Sequence, residues 1–383
     1  MQTFRLFLES FLTEAKGAVG IQHIEHPSDR TFDGHQAAHH ALSTLKSAAI
    51  GRATLTRKID GSPSIGIQSK DGKVGVRYKG GKDYLQSTAE IERKHGDKPY
   101  MTRPLKAALA HAHKVLPHKD AEYQAEFMST PETRTENKGK IHHTPNAAGI
   151  TYSIDKNSAE GKKLAGSKVS LSFHTEMKGK SKKPTPITDL SGFKTHPDVH
   201  VVDHTVSKEE RKLSPRDQKN VLGHLSRAEK LMKGHDYGHL AGHEPNLRTY
   251  VNSTVDSGER PSVEGYKSHV AKKWQKEIDK VKTEKTKAAK AATRDAALAH
   301  VDTNKEAFHR TFQIHHHVQQ ATNALARSLN KTASGGYTHH IGDKETGPEG
   351  FVANGLKIVD REDFSKNLRA RSAILKATAK ASK

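Results

Sequence analysis

The chain reads as an α+β protein, in which an antiparallel-sheet domain is interrupted by a large helical insertion and resumes before the C-terminus. Three observations carry this reading. Runs of alternating apolar and polar residues, bounded by turn residues, recur between residues 54 and 177, as half-buried strands require. From about Ser207 to Asn330 the composition is helix-forming throughout. Then EGFVANGLKIVDREDFS, 349–365, sets two apolar-alternating runs on either side of Asn354-Gly355, a strong short-range hairpin signal. The expected boundaries are 1–203 for the first part of the sheet domain with its N-terminal helices, 204–332 for the helical insertion, and 333–383 for the return and tail.

Composition narrows the function classes. At 383 residues the chain can bury a substantial core, yet only 33% of it is hydrophobic and 5% aromatic. A formal charge of +21, spread along the chain, favours a polyanionic partner, nucleic acid first and an anionic membrane surface second. No apolar run approaches the roughly 20 residues that span a bilayer. Zero cysteines exclude disulfides, thiolate zinc sites and cysteine nucleophiles together, and leave cytoplasm as the default compartment. Nothing marks an obligate protein partner.

Taken in order, Phe4, Leu6, Phe7, Phe11 and Leu12 recur at helical spacing over 3–15, and HQAAHHALSTLKSAA, 35–49, is a second helix. Next comes TLTRKIDGSPSIG, 54–66, with K-x-D-G at Lys58, Asp60 and Gly61. A strand-borne lysine that is partly desolvated and crowded by cations loses its proton easily, and its free amine can attack the α-phosphate of a nucleoside triphosphate. Asp60 can orient that lysine, and Gly61 lets the chain turn closely beside a ligand. The same four residues equally describe a surface lysine before an Asp-Gly turn.

SIGIQ and VGVRYKG, joined by Lys70-Asp71-Gly72-Lys73, form a hairpin whose second strand ends in Arg77, Lys79 and Gly80-Gly81, groups suited to phosphate or ribose. MTRPLKAALAHAHKVL, 101–116, is helical. AEYQAEFMS, 121–129, alternates as a strand with Glu122, Gln124 and Glu126 on one face. GITYSID, 149–155, and KVSLSFHTEM, 168–177, complete a five- or six-stranded sheet, and 178–196 is a linker by its Lys, Ser, Pro and Gly content.

In the helical region acids such as Glu277, Asp279 and Glu284 interleave with the lysines, so both a nucleic-acid surface and a solvated helix face remain open. His235, His239 and His243 have helical spacing, but Gly238, Gly242 and Pro245 oppose a regular helix and no carboxylate or cysteine completes a metal shell there. The stretch 331–348 is a loop. Beyond it, Glu349 is an acid for metal or ribose, and Lys357 a strand lysine for an α-phosphate.

K-x-D-G at Lys58–Gly61, the acid in AEFM at Glu126, ITYSID, E-G-F-V at Glu349 and LKIVDR resemble, in order, motifs I, III, IIIa, IV and V of the covalent lysine nucleotidyltransferases. That family includes ATP-dependent DNA and RNA ligases and messenger-RNA capping enzymes. The run AEFMSTPETRTE, the HTEM strand and the ending KIVDREDFS followed by Asn367 further resemble ligase-like proteins of large tailed bacteriophages. The resemblance covers 1 to about 180 and 345–370. It implies an antiparallel-sheet nucleotidyltransferase domain, ATP-grasp-like, with ATP and Mg2+ as cofactors and RNA or DNA ends as partners.

Carried over by position, it makes Lys58 the adenylated residue, with Asp60 and Gly61 shaping the pocket. Glu126 contacts the nucleotide or positions the lysine, Tyr152 stacks on the base, Glu349 helps hold the metal, and Lys357 neutralises the α-phosphate. Arg77 or Lys79 takes the family's ribose- or phosphate-contacting position. Ile358 stands where a second lysine is usual, a contact that Arg361 could supply. Only 26 residues follow Lys357, too few for the OB fold that follows this strand in DNA ligases. The expected activity is therefore sealing of RNA or DNA ends through a lysyl-AMP. The rival is a catalytically silent, basic nucleic-acid-binding or virion-associated protein that keeps the fold.

Overall fold

The computed structural model describes residues 24–118, 120–145, 150–178, 183–333, 335–341 and 344–363. The helix expected over 3–15 and the tail beyond 363 lie outside them. Helices are α1 (His35–Ala49), α2 (Thr88–His95), α3 (Pro99–His111), α4 (Ala159–Gly166), α5 (Pro215–Met232), α6 (Glu244–Ser257), α7 (Val263–Asp279), α8 (Glu284–Thr303) and α9 (Lys305–Asn330). Strands are β1 (Thr56–Arg57), β2 (Ser64–Lys70), β3 (Lys73–Tyr78), β4 (Ala121–Ser129), β5 (Arg134–Asn137), β6 (Lys140–His143), β7 (Ile150–Asp155), β8 (Val169–Lys178), β9 (Lys183–Pro186), β10 (Val199–Val201), β11 (Tyr337–Ile341), β12 (Lys344–Thr346), β13 (Phe351–Ala353) and β14 (Leu356–Ile358). Among the described residues no helix is long and apolar enough to cross a membrane.

The chain is mixed α/β and divides into two compact units. Among the described residues the sheet unit comprises Thr54–Glu210 and Asn330–Gly355, and the helical unit Glu25–Ala53, Arg211–Leu329 and 356–363. The division differs from the sequence expectation at both ends, since α1 and β14 fall with the helices. The alanine-rich face of α1 explains its side: Ala38, Ala41, Leu42 and Leu45 are buried, Lys46 Nζ meets Glu229 of α5 at 2.7 Å, and Gln218 of α5 donates to the Ala49 carbonyl.

Within the sheet unit the strands form two large sheets, where the sequence suggested one. The first runs β10-β8-β4-β2-β3 with β9 on β8, and the second runs β12-β11-β7-β6-β5. The first is mixed, because β10 lies parallel to β8 while its other pairs are antiparallel. Alternation identifies a strand but not its neighbours, so ITYSID went to the wrong sheet.

Four short strands carried no apolar signal. β5 and β6 are RTEN and KIHH, and β11 and β12 occupy the expected loop at 331–348. Histidine supplies buried area there, as at His143 and His339, each 2% exposed, but does not score as apolar. β9 lies inside the expected linker; its Pro184 and Pro186 face β8 residues Met177 and Thr175 at the sheet's margin, where a strand tolerates proline.

The first sheet has an apolar and a polar face. Ile65, Ile67, Val76, Tyr123, Ala125, Phe127 and Phe173 pack with Leu105 and Ala108 of α3 in one core. The opposite face carries Ser64, Gly66, Arg77, Glu122, Gln124 and Glu126, which pair across β2, β3 and β4 in register. Glu122 and Gln124 are nonetheless only 5% and 3% exposed. Buried polar residues demand partners, so this face is built for something other than core packing.

The helical unit has an aromatic core of Phe32, Tyr250, Tyr266, Phe308 and Phe312 with Leu247, Val251 and Val270. His239, His243 and His300 pack against that core. His243 Nδ1 lies 2.8 Å from the Tyr266 hydroxyl, His239 Nε2 lies 3.1 Å from Thr311, and His300 stacks on His243. Burial lowers the pKa of His239 and His243, as expected of neutral rings held by hydrogen bonds. On α7 and α8 the lysines pair with the interleaved acids: Lys280 with Glu277 at 2.6 Å, Lys287 with Glu284 at 2.7 Å, and Lys267 with Asp302 at 2.5 Å.

One buried ion pair ties the first and last stretches of this unit together. Arg361 Nη1 contacts Asp29 Oδ1 at 2.9 Å, with side chains 9% and 12% exposed, and its other nitrogen meets Asn252. Burial pushes the Asp29 carboxyl up, but the Arg361 guanidinium, aided by His315 and His26, holds it far below the ordinary carboxylate range. Arg361 is thus a buried structural cation, which corrects its expected service as a phosphate contact.

Replacing Arg361 leaves a buried carboxylate unpaired, so Arg361→Met should destabilise the protein by about 3–5 kcal/mol at neutral pH in urea unfolding. Asp29 has a depressed pKa when folded, so its stabilisation exists above the unfolded value of about 3.9 and fades as pH falls through the folded one. The gap between wild type and variant should therefore narrow below about pH 4. Equal midpoints at neutral pH would remove Arg361 from this role.

Candidate functional site

Lys58 and Glu349 meet because β1 pairs antiparallel with β13, Thr56 facing Val352 and Arg57 facing Phe351. One residue further, the Lys58 N–H donates to the Gly350 carbonyl at 2.8 Å. This register sets the Lys58 ammonium 2.6 Å from Glu349 Oε2, and the same ammonium contacts Asp60. Depth is graded: the Glu349 side chain is 3% exposed, Lys58 17% and Asp60 40%. Asp60 therefore stands at the mouth of the cluster and Glu349 at its floor.

The electrostatics reverse the sequence expectation for the lysine. Burial alone would lower its pKa, but the Asp60 and Glu349 carboxylates outweigh burial and raise it above the ordinary lysine value. Among the described residues the charges that act on it are those of Asp60 and Glu349, in place of the expected crowd of cations. Glu349 in turn is pushed well above the usual carboxylate range, by burial first and then by the negative charge of Asp60, against the opposing pull of Lys58. One ammonium shared by two carboxylates leaves excess negative charge in a buried place, and a further cation would relieve it.

Tyr152 closes the cluster from β7. The Asp60 N–H donates to its hydroxyl at 3.1 Å. Its ring is 1% exposed, stacked on His143 at 5.5 Å and met edge-on by His339 and Tyr337. A ring so enclosed has no face left for a base, so the expected stacking role is replaced by one of fixing the Asp60 backbone. Burial lowers His143 to a pKa of about 3 and His339 to about 4, keeping both rings neutral.

Gly61 has a steric reason to be glycine. A Cβ there would stand 2.3 Å from the Phe127 carbonyl oxygen and 2.8 Å from the Glu126 Cβ, so the close approach is to β4 itself. Glu126 thereby sits beside the K-x-D-G turn on the polar face of the first sheet. Its Oε1 lies 3.5 Å from His174 Nε2, a partner on β8 that the sequence reading overlooked although HTEM was in view.

Arg77 is committed to the sheet. Its Nη2 contacts Glu122 at 2.5 Å, its Nη1 donates to the Gly81 carbonyl at 2.9 Å, and its guanidinium lies 4.9 Å from the centre of the Tyr84 ring. Lys79 follows the strand, its N–H bonded to the Ser64 carbonyl at 3.0 Å. Neighbouring Arg57, only 6% exposed, pairs with Glu210 and donates to the Ala333 carbonyl at 2.9 Å. It anchors β1 from behind.

Asn354 and Gly355 both adopt positive φ, 46° and 75°, the requirement of the type I′ turn that the sequence announced. Lys357 lies beyond that turn in the helical unit, where its N–H donates to the Glu25 carbonyl at 2.9 Å. The cluster described within the sheet unit is thus Lys58, Asp60, Glu349 and Tyr152, with Glu126 and His174 adjoining.

A deprotonated Lys58 is an amine nucleophile in a partly closed site, and the two carboxylates are oxygen ligands for a hard cation. Among the described residues no group of three or more histidines or acids could hold a metal by itself. Mg2+ ordinarily takes one or two carboxylates and completes its shell with phosphate oxygens and water, so Asp60 and Glu349 fit such an ion arriving with a triphosphate.

No curated protein and no solved structure matches the chain. A family described as "Family of unknown function (DUF6267)" matches residues 21–369, most of the sequence, and the chain belongs to that family.

Proposed function

We propose that this protein is a lysine nucleotidyltransferase of the polynucleotide-ligase kind, built on an antiparallel nucleotidyltransferase sheet domain, which takes AMP from ATP onto Lys58 and passes it to a nucleic-acid 5′-phosphate. The observation that carries the reading is the β1–β13 register, which holds the Lys58 ammonium against Glu349 and Asp60. These three residues come from two motifs far apart in sequence, K-x-D-G and E-G-F-V. They form one cluster with the composition that phosphoryl transfer to an amine needs.

In the first half-reaction the Lys58 nitrogen attacks the α-phosphorus, the P–N bond forms, and the bond to the β-phosphate oxygen breaks to release pyrophosphate. A divalent cation held by Asp60 and Glu349 would offset the charge that builds on the phosphate oxygens. Before that attack the Lys58 ammonium must lose its proton, which can leave to water through the open Asp60 side; a cation bound to the same carboxylates would make that loss easier. Glu126, beside Gly61 and paired with His174, offers an acceptor for a nucleotide hydroxyl. The base needs a surface other than the enclosed ring of Tyr152.

Incubated with magnesium and ATP labelled at the α-phosphate, the protein should acquire one acid-labile, base-stable AMP, and pyrophosphate should reverse it. Lys58→Ala should abolish the adduct while a wild-type far-ultraviolet circular dichroism spectrum shows that the fold is kept. Labelling from GTP alone would redirect the reading to capping chemistry. Absence of label, in protein whose mass shows no prior adduct, would leave the silent nucleic-acid binder as the better account.

Because the carboxylates hold Lys58 protonated, the adenylation rate should climb with pH, about tenfold per unit between pH 7 and 9, as the free-amine fraction grows. Single-turnover labelling measures this directly. A flat profile would show that loss of this proton does not limit the step.

A further inference from the structure

Several basic side chains on the helical unit have acidic partners, Lys267, Lys287 and Lys290 among them, whereas one group of arginines and histidines gathers away from acids. His224 and Arg227 share a face of α5, His316 and His317 follow one another on α9, and Arg260 lies in the turn before α7. The Nδ1 atoms of His224 and His317 face each other at 3.4 Å. The rings of His316 and His317 lie 5.6 Å apart, as do those of His224 and His317. Arg227 and Arg260 are exposed and have no hydrogen bond or ion pair among the described residues.

We propose that these five side chains form a phosphate site that grips the backbone of a polynucleotide on the helical unit, an inference that rests on the nucleic-acid partner proposed above. Two unpaired guanidiniums converging with imidazole N–H donors are the recognition chemistry of a phosphodiester. The gathering of ring nitrogens marks the place: two imidazoles face each other at 3.4 Å with a third ring 5.6 Å away, and the charges they feel come from Arg227 and Arg260.

Charge in the cluster is mutually repulsive. Burial and then Arg227 lower His224. Burial, His224, Arg227 and Arg260 lower His317. Burial, Arg260 and the neighbouring rings push His316 down to about 4. Among the described residues the charges that act on these rings are those of Arg227, Arg260 and neighbouring histidines; Glu259 adjoins Arg260 in the turn, Glu362 accepts from Gln320 of α9, and His315 is turned to Asp29 at 3.7 Å. A phosphodiester stays anionic at all relevant pH values, so its arrival raises these pKa values and draws protons onto the rings. Affinity should therefore rise as pH falls.

The test uses the full-length protein and a fluorescein-labelled single-stranded oligonucleotide, read by anisotropy across a salt series. Arg227→Ala/Arg260→Ala should bind roughly tenfold more weakly, with a slope of log affinity against log salt shallower by about 1.4, two phosphates at about 0.7 each. A thermal melt should be unchanged, since both arginines are exposed. Wild-type affinity should strengthen between about pH 7.5 and 6, and His224→Gln/His317→Gln should lose that dependence. The arginine variant should still accept AMP from ATP, so failure of Lys58 chemistry and failure of this site give different results. Unchanged affinity and slope in the arginine variant would overturn the proposal. So would inorganic phosphate shifting the His224 and His317 ring resonances while the oligonucleotide leaves them unmoved, an outcome that would assign the site to free phosphate.

Discussion

A two-residue strand carries the charged centre of this protein. β1 is Thr56–Arg57, and its antiparallel pairing with β13 is the contact that brings Lys58 to Glu349 across most of the chain length. Three things stabilise so short a pairing. Arg57 is buried behind it against Glu210 and the Ala333 carbonyl. The Lys58 N–H extends the ladder to Gly350. The ion pair then adds charge-assisted hydrogen bonds where water is largely excluded. Each alone is modest; together they hold one register, because a slip by one residue would turn Lys58 away from Glu349.

The cluster is poised but charge-mismatched. Lys58 is held more firmly protonated than a free lysine and Glu349 more firmly than a free glutamate, both consequences of placing two carboxylates and one ammonium in a partly closed space. Perturbed titration of this kind is common at functional sites and also occurs in structural networks. Two features favour function here. Asp60 remains open to solvent at the mouth, and the adjoining polar face of the first sheet buries Glu122 and Gln124 beside Arg77 without an apolar layer of its own. The proposed nucleotidyl transfer uses the excess negative charge as the seat of a cation.

The helical unit shows how charge reading depends on partners. Its lysine-rich helices α7 and α8 look like a polyanion surface by composition, yet Lys267, Lys287 and Lys290 pair with acids three residues away or on the neighbouring helix. Such exposed pairs contribute little energy, but they neutralise the field. The histidines at 235, 239 and 243 look like ligands by spacing and prove to be core residues bonded to Thr311 and Tyr266. The cationic group at His224, Arg227, Arg260, His316 and His317 carries no motif, because its members come from three separate elements.

What the sequence determined by itself is local. The alternation in β2, β3, β4 and β8, the alanine-rich α1, the helical stretch after residue 207 and the Asn354-Gly355 turn follow from side-chain period and backbone sterics, which act over a few residues. The membership of Lys58, Asp60 and Glu349 in one site was also legible, since each lies in a short motif whose chemistry complements the others. Tertiary structure decided the rest. It split the strands into two sheets, because pairing partners are chosen by packing and not by period. It enclosed Tyr152 between histidines, buried Arg361 against Asp29, and surrounded Lys58 with carboxylates instead of cations. The environment of a titratable group is set by residues far away in the chain, and a sequence lists those residues without saying which ones meet.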